Sequence, residues 1–224
     1  MVTNTLQDIF IGIAGLIGAG KTTLCHLLAR ERGARLVLEP SEHNPFLAPF
    51  YRDPERYAFP AQMAYLLQRW RQQQSIRQQD LFQGLIVSDY IWQKDRMFAR
   101  KTLAEDEFDL YLRFNEALAE NGPTPDLLVW LDMPPEACLG RIAKRNAAGE
   151  EAIDVDYLRD LRDRYSELLD GWSGCPVLRL DATARNLVDE RSDQATVLAR
   201  IDAALDGIIV SDPLDSGPTL FDGW

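Results

Sequence analysis

Short apolar runs alternate with longer amphipathic segments along this chain. Residues 9–14 (Ile9, Phe10, Ile11, Gly12, Ile13, Ala14) form a run too short for a buried helix and fit a strand buried on both faces. The same reading gives strands over 35–38, 85–88, 127–131 and 177–180. Between them, spacings of three and four predict helices over 23–30, 54–82, 103–120, 135–145, 156–169 and 195–209. The helix over 103–120 carries an apolar stripe at Phe108, Tyr111, Leu112 and Leu118, and Asn121-Gly122-Pro123 stops it. Pro135 suits the first turn of its helix, and Ala147-Ala148-Gly149 breaks the next join. Regular strand–helix alternation predicts an α/β fold: a five-stranded parallel sheet with helices on both faces. There is no internal repeat. Residues 1–209 read as one domain and 210–224 as a tail without periodicity, whose Leu220, Phe221 and Trp224 either pack back or dock elsewhere.

Composition narrows the partners. At 224 residues the chain can bury a full core, and a formal net charge of −11 argues against nucleic acid as a main ligand. No apolar run reaches membrane-spanning length and residues 1–8 do not read as a signal peptide, so no membrane partner and a cytoplasmic location are expected. Three unpaired cysteines, Cys25, Cys138 and Cys175, fit a reducing compartment, with Cys25 and Cys138 as core fillers on helices. With only His26 and His43 available, a zinc site and a Ser-His-Asp triad are both disfavoured.

Chemistry enters at the join between the first strand and the first helix. Gly15-Leu16-Ile17-Gly18-Ala19-Gly20-Lys21-Thr22 fits the phosphate-binding loop pattern of two glycines followed by Lys and Thr. Gly15, Gly18 and Gly20 let the backbone aim successive N–H groups at one anion, with Ala19 and Thr23 completing the turn into the helix. The helix N-terminus adds its partial positive charge. Lys21 is placed to hold the outer phosphates and Thr22 to ligate Mg²⁺. The motif implies a bound nucleoside triphosphate with Mg²⁺.

The other strand ends suggest what is done with the phosphate, because ligands of open α/β sheets sit there. Glu39 follows the second strand, and Pro40 keeps its backbone extended. It can take a proton from an acceptor hydroxyl or serve merely as a capping or surface glutamate. Asp89 ends the third strand, where it can complete the Mg²⁺ shell with Thr22 or act as a turn aspartate. Arg141, Lys144 and Arg145 share one helix face, which is either a phosphate clamp or a solvated cationic stripe.

Three stretches in order give these residues a family likeness. They are Glu39-Pro40 with Asn44-Pro45-Phe46-Leu47, then 50–59 with Gln62 and Arg69 beyond, then 141–157 containing Glu150 and Ile153. Over about residues 9–205 the chain resembles the deoxynucleoside kinases, especially the bacterial deoxyadenosine/deoxyguanosine kinase branch. The resemblance implies a three-layer phosphate-loop NTPase fold with a short lid at about 141–153, a deoxynucleoside substrate (purine slightly favoured), nucleotide salvage and a homodimer. It implies Glu39 as general base, Gln62 on the base edge, and Arg69 with Asp95 at the far wall of the base pocket. Tyr51 and Glu150 match the groups on the sugar 3′-hydroxyl, and Arg141 and Arg145 the lid arginines over the ATP phosphates. The chain departs from the family after Asp89, where Tyr90-Ile91 replaces the usual Arg-Ser. Either Lys94 or Arg96 takes over or the phosphoryl step is slower, and Arg96 is placed in the catalytic set with Lys21, Glu39, Asp89 and Arg141. A nucleoside monophosphate kinase, or a degenerate nucleotide-binding subunit, are the alternatives.

Overall fold

The computed structural model describes residues 9–39, 44–77, 84–119, 124–146, 150 and 153–207. Pro40, the Asn121-Gly122-Pro123 stop, the 147–149 break, the ends of three expected helices (78–82, 120 and 208–209) and the tail 210–224 lie outside these residues.

Five strands form one sheet: β1 (Ile9–Gly15), β2 (Arg35–Val37), β3 (Leu85–Ser88), β4 (Leu127–Asp132) and β5 (Val177–Asp181). Their order is β2-β3-β1-β4-β5, and every pairing is parallel. A parallel sheet must be covered on both faces. The central strands are accordingly apolar without alternation: Ile11, Ile13, Leu128 and Val129 have no exposed surface. Around them stand α1 (Lys21–Arg32), α2 (Leu47–Arg52), α3 (Pro54–Arg77), α4 (Gln93–Thr102), α5 (Glu105–Ala119), α6 (Pro135–Arg145), α7 (Val155–Asp170) and α8 (Arg191–Leu205). None of the described helices is long and apolar enough to cross a membrane.

Two of these helices were not expected. The six-residue α2 carries a proline at Pro49 and buries none of its side chains, so it has no apolar period to read. The buried face of α4 is Lys94, Asp95 and Ala99, and a face made of charges is invisible to a hydrophobicity pattern. Helix α8 begins at Arg191 rather than residue 195, because its first turn, Arg191-Ser192-Asp193-Gln194, is wholly polar.

The main core joins the sheet to α1, α6, α7 and α8. Cys25 and Cys138 are both free and fully buried within it. A second cluster, Leu66, Ala99, Phe108 and Tyr111, binds α3, α4 and α5 to one another. The stripe on α5 is therefore core: Phe108 and Tyr111 are buried, whereas Leu110 and Phe114 are the exposed large apolar residues of that helix. Because the strands are all parallel, their carboxyl ends share one edge. Gly15, Glu39, Asp89, Asp132 and Asp181 stand at or just beyond those ends.

Ile13 lies on the central strand, fully buried. Ile13→Ala is expected to cost about 2–5 kcal/mol, the range for a large aliphatic cut from a packed core. Denaturant titration of both proteins checks this, and a loss under 1 kcal/mol would contradict the packing described.

Candidate active site

The turn after β1 is a left-handed loop that only glycine suits. Gly18 and Gly20 have φ of 84° and 99°, and a Cβ at Gly18 would stand 2.7 Å from the Cys138 carbonyl oxygen. The loop feeds directly into α1, with Gly20 as its N-cap. Lys21 Nζ donates to the Gly15 and Leu16 carbonyls at 3.0 and 2.8 Å. Burial pushes its ammonium down to about 8, helped by the charge of Lys94 and opposed by Glu39 and Asp89.

Asp89 connects this loop to the next strand end. Its Oδ2 accepts from Thr22 Oγ1 at 2.7 Å, and its Oδ1 accepts from the Glu39 backbone N–H at 2.7 Å. One carboxylate thus fixes the first turn of α1 and the residue after β2 in a single frame. Thr22 and Asp89 present two adjacent hard oxygens. That donor set fits Mg²⁺, which keeps several waters and takes phosphate oxygens, and so needs few protein ligands.

Glu39 is gripped by two cations. Lys94 Nζ donates to Oε2 at 2.8 Å, and Arg69 donates to Oε1. Burial alone would raise the Glu39 carboxyl, but the charges of Lys94 and Arg69 outweigh it and hold the group well below the ordinary carboxylate range. Arg69 also pairs with Asp95. Its guanidinium lies over the rings of Tyr65 and Tyr90, at 4.9 and 5.7 Å from their centroids. The Arg69–Asp95 pair expected at a pocket wall thus exists, but it also reaches the carboxylate expected to act as base. Tyr90 fills the position after Asp89 with an aromatic face for that arginine.

Helix α4 decides between the two cations left open by the sequence. Lys94 is buried and bonded to Glu39; Arg96 is exposed. Residues two apart on a helix face different directions. The placement of Arg96 in the catalytic set is therefore corrected: α4 turns it to solvent and turns Lys94 inward.

On the acceptor side, Gln62 is buried on α3 and its amide donates to Thr102 Oγ1 at 3.0 Å. Gln62 and Arg69 lie two turns apart on that helix. Tyr51, half-buried on α2, has its phenol raised by burial first, then by the charges of Tyr157, Glu150 and Glu39. Tyr51 thus feels the charges of Glu150, the other residue expected on a sugar hydroxyl, and of Glu39. Glu150 is forked by Arg145, Nε to Oε2 at 3.1 Å and NH2 to Oε1 at 2.5 Å.

On the donor side a cavity of about 660 Å³ opens over the glycine loop. It is lined by Gly18, Ala19, Gly20, Lys21, Thr22, Thr23, Arg141 and Arg145. Gly15 lies behind it, with its carbonyl on Lys21. Arg141 spans the mouth, donating to the Ala19 and Ala182 carbonyls at 3.3 and 3.1 Å. Lys144, on the same helix, is exposed and does not line the cavity. The opposite wall is the loop after β5, from Ala182 to Val188, which sequence reasoning missed. Its signal is its position alone: it follows the carboxyl end of β5, which pairs with β4, itself the neighbour of the strand that bears the glycine turn. Of the expected lid, residues 147–149 and 151–152 lie outside the described residues.

The comparisons with known proteins agree with this architecture. The model of a family described as "Deoxynucleoside kinase" matches residues 11–206. A "Deoxyadenosine kinase" of Dictyostelium discoideum is 34% identical over 183 residues, 79% of this chain and 74% of that protein. A "Deoxyadenosine/deoxycytidine kinase" of Bacillus subtilis (strain 168) is 29% identical over 202 residues, 87% of this chain and 92% of that protein. A solved structure of deoxyadenosine kinase from M. mycoides with bound dATP superposes with a TM-score of 0.75 at 22% identity, covering 87% of this chain and all (100%) of that one.

The Gly18 geometry yields a direct test. Gly18→Ala is expected to weaken nucleoside triphosphate binding at least about tenfold, since the new methyl group must displace the Cys138 carbonyl in a backbone region that disfavours it. Isothermal titration with ATP·Mg²⁺ measures it; unchanged affinity would remove the loop from the binding site.

Proposed function

This chain belongs to the deoxynucleoside kinase family, and from that membership we propose that it transfers the γ-phosphate of ATP to the 5′-hydroxyl of a deoxynucleoside, with a purine favoured. The reading places the activity in nucleotide salvage in the cytoplasm, with residues 1–209 as the kinase domain and 210–224 as a tail. The observation that carries it is the Asp89 bridge. An ionised carboxylate, Glu39, is tied through Asp89 to Thr22 at the phosphate loop, so a proton acceptor and a phosphate cradle are fixed to one another. Relatives named as deoxyadenosine kinases support the purine leaning.

Phosphoryl transfer has a loose transition state, so the protein mainly positions groups and neutralises charge. Lys21 and the N–H groups of the glycine loop hold the outer phosphates. Arg141 and Arg145 line the cavity on the far side of those phosphates. Mg²⁺, held by Thr22 and Asp89, supplies neutralisation of the phosphate oxygens when bound. Tyr51 and Glu150 engage the sugar 3′-hydroxyl, and Tyr51 crowds a 2′-hydroxyl. The Gln62 amide offers a donor and an acceptor to the base edge. Glu39 orients the 5′-hydroxyl and accepts its proton.

We also infer a homodimer. Helices α3 and α5 pack side by side, and they carry the exposed apolar residues Leu67, Leu110 and Phe114. Leu110 and Phe114 are four apart and so share a face. Such side chains on adjoining helices suit burial against a second copy.

Two outcomes are expected. With ATP·Mg²⁺ the chain phosphorylates deoxyadenosine and deoxyguanosine, and Glu39→Gln keeps triphosphate affinity while lowering kcat by about 10²–10⁴-fold; turnover of nucleoside monophosphates alone, or near-normal turnover by the variant, would overturn the reading. Phe114→Glu shifts the chain from dimer to monomer in sedimentation velocity, and a parent that sediments as a monomer would defeat the dimer.

A further inference from the structure

We propose that Lys94 is a catalytic residue of this kinase: its ammonium holds Glu39 before reaction and contacts the transferring phosphoryl group as the carboxylate takes up the hydroxyl proton. The inference rests on the reading of Glu39 as base and assigns the cation that works beside it.

Both cations on Glu39 are buried, but they are not equivalent. Arg69 has both terminal nitrogens paired and its plane covered. One terminal nitrogen goes to Glu39, the other to Asp95, and the plane is covered by Tyr65 and Tyr90. It is a fixed wall. Lys94 has a flexible stem that starts in the first turn of α4, with its ammonium 5.8 Å from the centre of the Phe98 ring. An ammonium carries three donors. Among the described residues Glu39 is the acceptor they are given to, at 2.8 Å, which leaves donors for a phosphoryl oxygen. The place is also right. Glu39 is tied through Asp89 to Thr22 in the first turn of α1, so a cation bound to Glu39 lies on the phosphate-loop side of the sheet edge, and its charge is felt at Lys21.

The charge balance shows why a mobile cation belongs there. The bond from the 5′-oxygen to the γ-phosphorus forms. The bond from that phosphorus to the β,γ-bridging oxygen breaks, and its electron pair leaves with ADP. The hydroxyl proton goes to Glu39. One negative charge therefore disappears from Glu39 and reappears on the phosphate products. A cation paired only with Glu39 would lose its partner during the step. Lys94, hydrogen-bonded to Glu39, follows the charge from the carboxylate to the phosphoryl group and stabilises the transition state as it moves. Arg69, with Asp95 as a second partner, stays behind.

The test compares the full chain with Lys94→Met, Lys94→Arg and Lys94→Ala, using deoxyadenosine and ATP·Mg²⁺. Lys94→Met is expected to lower kcat by about 10²–10³-fold, the usual cost of one transition-state donor. KM for the deoxynucleoside and the Kd for ATP, from titration calorimetry, should move by less than about threefold. Lys94→Arg should recover at least about tenfold over the methionine variant. Ethylammonium should raise turnover by Lys94→Ala saturably, while tetramethylammonium, which has no N–H, should not at equal ionic strength. The assignment is overturned if Lys94→Met keeps its kcat, if the loss lies in KM instead, or if the two ammonium ions act alike. A parent chain that phosphorylates no deoxynucleoside removes the functional reading and Lys94 with it; a parent that turns over while the Lys94 variants match it removes Lys94 alone.

Discussion

A carboxylate withdrawn from water must be neutralised by protonation or by partners, and in this protein it is the partners that win. Glu39 stays ionised because Lys94 and Arg69 each take one of its oxygens. Arg69 in turn needs Asp95, and all four side chains are half-buried or buried. Taking one member from such a group leaves an uncompensated buried charge, at a cost of about 3–5 kcal/mol. Two helices are therefore held in register by ionic rather than apolar contact at this point. Arg69 comes from α3, Lys94 and Asp95 from α4, and the apolar cluster of Leu66, Ala99, Phe108 and Tyr111 stands behind them as the support.

That requirement shapes the rest of the acceptor side. An aromatic residue after Asp89 is compatible with the site because Tyr90 gives the Arg69 guanidinium a ring face to rest on. A cation reaches Glu39 instead from the helix that follows, through Lys94 of α4. On the donor side the constraint is steric instead. Gly18 and Gly20 take backbone angles that side chains disfavour, close beside α6, and this lets Arg141 reach the Ala19 carbonyl across the loop. Asp89 joins the two halves through one oxygen each.

Much of this was legible in the chain before folding. Apolar runs gave the five strands, since a parallel sheet buries both faces and leaves no alternation to misread. The glycine-rich turn, Lys21 and Thr22 announced phosphate binding because their chemistry is local: loop, helix start and side chains are contiguous. Glu39 and Asp89 could be singled out because each follows a strand end. What escapes the sequence has separate causes: α4 buries charges, α2 is too short to carry an apolar period, the loop after β5 has no periodicity, and the orientations of Lys94 and Arg96 depend on what stands opposite them.

What the sequence determined by itself, then, was the strand order along the chain, the phosphate cradle and the carboxylates at the strand ends. These rest on interactions between residues that are close in sequence or on burial that leaves an apolar record. Only the tertiary structure decided that β3 lies between β1 and β2, that α4 exists and faces inward with Lys94 and Asp95, and that Arg69 spans from Asp95 to Glu39. Such pairings join residues 26 to 55 positions apart. Charge attracts without regard to sequence distance, so its partners become known only when the chain has brought them together.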